Sequence, residues 1–159
     1  MNSQVSNMMS IDDHVDKINE AKNKVQNGIF EMAEAVTEAV NQLDGRQIEL
    51  SERVGMSKGT ISKWVSIGSN RRLTKIKEMA PLSFNSLYQL SSLDNYYNKY
   101  YGQKVGEKKF LELFQNKKIT PLSQRNDVDK IIRFQKQIIK NTIQTKNEII
   151  VTSFKDRAK

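Results

Sequence analysis

Lys58, Ser62 and Lys63 stand close together in the stretch "SKGTISKW". Two ammonium groups that donate to guanine O6 and N7, and a hydroxyl able to meet several bases, suit the polar base edges of a DNA groove. Ser57, Gly59 and Thr60 complete the set, Gly59 because a residue without a side chain lets the backbone come close. Arg46 and Gln47 precede this stretch and Ser66, Asn70, Arg71, Arg72 and Lys75 follow it. These types bind phosphate oxygens and fix position on a duplex without reading its sequence.

Bond-making chemistry has no comparable set. There is no cysteine and one histidine, so a thiolate site, a disulfide framework and a two-histidine metal signature are ruled out. No Gly-rich phosphate loop and no Ser-His-Asp set occurs. His14 lies beside Asp12, Asp13 and Asp16, but near a chain end this cluster reads as solvated surface. The expectation is a protein without catalytic residues, metal or cofactor, and with no evident small-molecule ligand.

The recognition set needs helices to hold it. Arg46 to Val54 reads as a short helix, ended by Gly55 where a tight turn needs positive φ. Ser57 is a good N-cap for a second helix, Lys58 to about Ser66, with Thr60 at its third position. Leu50 and Val54 on the first helix, Ile61 and Trp64 on the second, and Met56 in the turn supply facing apolar sides, and Ser51 is small enough for a close crossing. Trp64 is expected to be buried against the first helix. This pattern is a helix-turn-helix whose second helix projects Lys58, Gly59, Ser62, Lys63 and Ser66 outward. Gln47, at the start of the first helix, is placed to face a phosphate.

Both flanks read as long helices in an all-α fold, since strand patterns are missing and proline occurs only twice. Over residues 11–45, Ile18, Val25, Met32 and Ala39 recur at intervals of seven, interleaved with Ile29, Val36 and Leu43. The resulting stripe suits either an intermolecular coiled coil or packing on the chain's own later helices, and the second is the expectation. Ser10 and Asp13 suit its start, and Gly45 its left-handed end. A middle segment, 46–125, holds the helix pair and a following apolar helix with Leu82, Leu87, Leu90 and Leu93. In that helix Tyr96, Tyr97, Tyr100 and Tyr101 read as packing residues rather than base-stacking platforms. Over 126–157 a last helix, capped by Asn126 or Asp127, carries Ile131, Ile132, Ile138, Ile139, Ile143, Ile149 and Ile150 along one edge. That edge either folds back on the domain or pairs with its copy in a second subunit; dimerisation is the expectation, because single helix-turn-helix units are ordinarily used in pairs.

Counting Gln47 as the first position of the motif, Ser51 is fifth, Gly55 ninth, Ile61 fifteenth and Trp64 eighteenth. At those positions the segment resembles the helix-turn-helix of phage and plasmid repressors and partition-type proteins, with Ser51 where alanine is usual. The blocks "APLSFNSLYQLSSL" (80–93) and "KITPLSQRNDV" (118–128) are similar to segments that follow the motif in such proteins. The resemblance spans roughly residues 15–130. It implies a DNA-binding protein of a phage, plasmid or satellite element, a class that includes repressors, partition proteins and DNA-binding parts of larger mobile-element proteins.

Charge agrees with that reading. Net charge is +8, with residues 1–45 at −5, residues 46–77 at +6 and residues 78–159 at +7. A basic surface beside an acidic one is the footprint of a chain that turns one face to phosphates. The chain is long enough for one domain with a core, or a small domain with an oligomerisation element. Its start lacks a basic and apolar leader and nowhere do 18 apolar residues run together, so the expectation is a cytoplasmic protein that uses no membrane. Three functions fit: a dimeric repressor on an inverted-repeat operator in double-stranded DNA, an origin- or centromere-binding protein, and an adaptor whose helix pair only packs. The positive exposed face argues against the adaptor.

Overall fold

The computed structural model describes residues 9–44 and 46–157. Every regular element among them is helical: α1 (Ile11–Gln42), α2 (Gln47–Val54), α3 (Lys58–Gly68), α4 (Arg71–Lys75), a 3-10 turn (Lys77–Met79), α5 (Phe84–Gln115) and α6 (Arg125–Arg157). Among the described residues no helix is long and apolar enough to cross a membrane.

A reciprocal capping box starts α1. Ser10 Oγ accepts from the Asp13 N–H and the Asp13 carboxylate accepts from the Ser10 N–H, each at 3.1 Å. This pairs two of the donors that a helix start leaves open. Gly45, the expected left-handed end, lies outside the described residues. The face that packs is not the stripe read from the sequence. Gln26, Phe30 and Ala33 are buried, whereas Ile18, Val25 and Met32 are exposed. The interior residues lie one position beyond Val25, Ile29 and Met32, about 100° around the helix. The displacement has a polar cause as well as an apolar one, since the Gln26 amide donates to the Ala80 carbonyl at 3.0 Å inside the core.

Core packing centres on α5. Leu87, Leu90 and Leu93 are fully buried with Tyr97, Phe110 and Phe114, and Phe30 and Ala33 of α1, Ile67 of α3 and Val128, Ile132 and Ile139 of α6 join them. Each such leucine is worth roughly 2 kcal/mol in water-excluded area. At Gly102 the backbone leaves helical geometry (φ 80°, ψ 168°), which kinks α5 where only glycine is unstrained. Tyr97 is buried and donates through its hydroxyl to Gln135 Oε1 of α6 at 2.9 Å. Burial pushes its phenol above the ordinary range, and Tyr101 and Glu112 add to the shift.

Helix α6 departs from the sequence pattern in two ways. It begins at Arg125, so Asn126 and Asp127 lie in its first turn and not at the position before it. Its isoleucines do not form one free edge. Ile132 and Ile139 are buried in the chain's own core, and Ile131 and Ile143 pack partly against it, because α6 folds back on α5. Ile138, Ile149 and Ile150 remain exposed.

Candidate nucleic-acid interface

The turn between α2 and α3 is built as its residues dictate. Gly55 takes the left-handed conformation (φ 68°) and Ser51 Oγ donates to the Met56 carbonyl across it. Ser57 then caps α3, its Oγ accepting from the Thr60 N–H at 3.1 Å. Leu50 and Met56 are half-buried beneath the turn. Val54 was expected in the core but is 49% exposed. The reason is that α2 buries none of its residues and meets little beyond α3.

What seats α3 is α1, its most extensive neighbour. Ile61 and Ile67 of α3 are buried, and at Gly68 the two backbones approach so closely that an added Cβ would collide with the Ala33 carbonyl of α1. Gly68 therefore belongs to the helix, which runs past the end expected near Ser66. Trp64 is only partly buried. It packs on Phe84 at the start of α5, ring centroids 4.4 Å apart, and is not the fully buried anchor that its spacing predicts.

Opposite the α1 contact, Lys58, Gly59, Ser62 and Lys63 form an exposed row. Beyond Gly59 there is open space, the nearest atom to an added Cβ being Ser57 Oγ at 3.9 Å. The Lys63 ammonium rests 5.3 Å from the centre of the Tyr88 ring, a contact of modest strength in water. Three expected members are otherwise engaged. The Ser57 and Thr60 hydroxyls face each other at 3.0 Å and serve the helix cap. Ser66 is half-buried, its Oγ 2.9 Å from Ser91 Oγ of α5, so it does not face outward.

The phosphate candidates divide in the same way. Gln47, Arg71 and Lys75 are exposed. Arg46 is exposed and paired with Glu49 at 2.7 Å, while Arg53 reaches the other oxygen of Glu49 at 3.2 Å. Such exposed surface pairs are weak. Asn70 and Arg72 do not belong to this set. Arg72 Nη1 donates to Asp94 at 2.6 Å and its Nη2 to the Gln103 carbonyl at 2.9 Å beside the kink. Buried Asn70 caps α4 by accepting from the Leu73 N–H and donates to the second Asp94 oxygen, both at 3.0 Å. Both side chains are consumed in fixing α4 to α5.

Three parts of the site's support, Asp94, Ser91 and Gly68, are not apparent from the sequence pattern. Asp94 gave one signal: it is an acid inside an otherwise apolar helical run, which a folded chain tolerates when cations or amides surround it. Gly68 gave only the glycine itself, which reads as a helix end. Compared with family models, curated proteins and solved structures, the chain finds no match.

Proposed function

We propose that this chain binds double-stranded DNA sequence-specifically, with α2 and α3 acting as a helix-turn-helix and the N-terminal half of α3 entering the major groove. The observation that carries the reading is the exposed row Lys58, Gly59, Ser62 and Lys63, set on a helix whose opposite side is locked against α1. A helix held this firmly presents its donors to base edges without first being ordered, which lowers the entropic cost of binding. Lys58 and Lys63 donate to guanine O6 and N7, Ser62 makes the adaptable contact, and Gly59 lets the backbone approach. Lys63 must leave Tyr88 to do so, a small cost. Arg71, Lys75, Arg46 and Gln47 hold the sugar-phosphate backbone on either side.

In this reading the protein acts as a dimeric transcriptional repressor that occludes a promoter by occupying an inverted-repeat operator. An origin- or centromere-binding protein of a phage, plasmid or satellite element uses the same chemistry. Mapping the bound sites across the host and element genomes separates the two. A single site over a promoter marks the repressor, and a tandem array beside an origin marks the other.

Gel-shift titrations on specific and scrambled duplexes at several salt concentrations test the interface. Lys58→Ala and Lys63→Ala should each cost about 1 to 3 kcal/mol on the specific site and relax preference at one base pair. Arg71→Ala and Lys75→Ala should weaken both duplexes alike, each reducing the slope of log affinity against log salt by about one. Arg72→Ala should instead act through the melting temperature. If Lys58, Ser62 and Lys63 can all become alanine without loss of site preference, α3 is not the reading helix.

A further inference from the structure

The four tyrosines of α5 are used in different ways. Tyr97 is buried and bonded to Gln135 of α6, and Tyr101 is half-buried with the Lys109 ammonium 4.6 Å from its ring centre. Tyr96 and Tyr100 instead stand together, ring centroids 4.6 Å apart, and Tyr100 is 40% exposed. Both line an open cleft of about 600 Å³ between α5 and α6. On α6 the lining residues Lys140, Ile143, Asn147 and Val151 follow steps of three and four, so they share one side of that helix. Lys136, one turn before Lys140, places its ammonium 5.7 Å from the centre of the Tyr96 ring. Lys99, beside Tyr100 on α5, places its own 5.5 Å from the centre of that ring.

Charge and ring chemistry coincide at this cleft. Among the described residues none of Lys99, Lys136 and Lys140 pairs with a carboxylate. The one acid in the lining, Glu148, accepts from the Gln144 amide at 3.3 Å and lies about 12 Å along α6 from Lys140. Three free ammonium groups beside two aromatic rings match a ligand made of phosphates and flat bases. A duplex suits them poorly, because its bases stack on one another and offer only their edges. An apolar partner helix suits them no better, since it would cover charges that have no counter-ion. We propose that the α5–α6 cleft binds single-stranded nucleic acid, with a base stacking on Tyr100 and the flanking phosphates meeting Lys99, Lys136 and Lys140. Stacking of this kind tolerates any base, because every base has a π-face. The cleft is separate from the row on α3, and its chemistry does not depend on how α3 is used. A chain using both would hold duplex at one site and an unpaired strand at the other.

Fluorescence anisotropy of the full-length chain with a labelled oligothymidylate of about 12 nucleotides, inside the usual site sizes of roughly 4 to 16, tests it. Circular dichroism confirms that each variant folds. The unaltered chain should bind the strand. Tyr100→Ala should weaken binding about 5- to 150-fold without changing its salt dependence, and Tyr100→Phe, which keeps the ring, should bind nearly as the unaltered chain does. Lys136→Ala with Lys140→Ala should reduce the slope of log affinity against log salt by about 1.4. All three variants should leave duplex affinity unchanged. An oligouridylate of the same length distinguishes the sources: tighter binding of either strand supports the proposal and names DNA or RNA. A chain that binds neither strand overturns it, as does a Tyr100→Ala variant that binds them undiminished. Variants that weaken duplex and single strand alike also overturn it, by making the cleft part of the duplex surface. So does a self-associated chain that Tyr100→Ala turns into a monomer on sedimentation, which puts a second copy in the cleft. A chain that holds the strand but no duplex overturns only the DNA reading of α3.

Discussion

Two helices that follow each other in sequence, α2 and α3, are held in opposite ways. Between them they supply the turn, the cap and the exposed donors, yet α3 buries Ile61 and Ile67 and presses Gly68 onto Ala33, whereas α2 buries nothing and leaves Ile48 60% exposed. The difference shows where the orientation of the exposed row Lys58, Gly59, Ser62 and Lys63 comes from. It is set from behind by α1 and from the side by α5, through Trp64 on Phe84 and Ser66 on Ser91. The smaller partner α2 rides on α3 by way of the turn. Substitutions around α3's supports should therefore unfold or misplace the row, and substitutions on the outer side of α2 should leave stability nearly unchanged.

The largest effect should come from Asp94→Ala. Asp94 is 3% exposed and holds Arg72 and Asn70 together. Removing it strands a buried guanidinium and an amide, and breaking a buried pair by deleting one partner costs about 3 to 5 kcal/mol. In a chain of this size the melting temperature should fall by roughly 10 °C. Calorimetry or a thermal melt followed by circular dichroism reads it directly. A fall no greater than that of a surface substitution would mean that α4 and the start of α3's support do not depend on α5, and the comparison would break.

Gly68→Ala should come next. The added methyl points at the Ala33 carbonyl and the Thr37 hydroxyl, which itself donates to that carbonyl at 2.7 Å. Backbone cannot yield as a flexible side chain can, so α3 must lift from α1, at about 1 to 3 kcal/mol for overpacking. The row it carries should shift with it, so DNA affinity should fall by more than the loss of folded protein explains. A paired melt and gel shift separate the two contributions. An alanine here that leaves both unchanged would show that α1 does not seat α3.

Local rules made part of this readable beforehand. The Ser10 and Ser57 caps, the left-handed Gly55 and the two helices it joins follow from residue types a few positions apart, and the structure has them as expected. Misplaced features were those decided by distant partners. Asn70 and Arg72 look like phosphate contacts until Asp94, more than twenty positions on, is brought beside them. The α1 helix carries two adjacent apolar faces, and periodicity favoured the more regular one. Packing chose the other, because Gln26, Phe30 and Ala33 meet the Ala80 carbonyl and the Gly68 backbone. The α6 isoleucines likewise look like one edge until α5 takes half of them.

The smallest effect is the most direct test of the contrast. Val54 sits where a packed helix pair would bury it, and its spacing from Leu50 suggests as much, but it is half exposed at the end of α2. Were it a core residue, Val54→Ala would leave a cavity and cost on the order of 1 to 3 kcal/mol. As placed, the change removes a methyl pair already in contact with water and improves helix propensity, so stability should move by less than about 0.5 kcal/mol in either direction. Ile61→Ala, 7 positions along on α3 and 4% exposed, serves as the internal standard and should cost about 2 to 5 kcal/mol. Chemical denaturation of the two variants side by side gives the ratio. A Val54→Ala cost approaching that of Ile61→Ala would place α2 in the core, make α2 a support of α3 in its own right, and remove the asymmetry from which the orientation of the exposed row is derived.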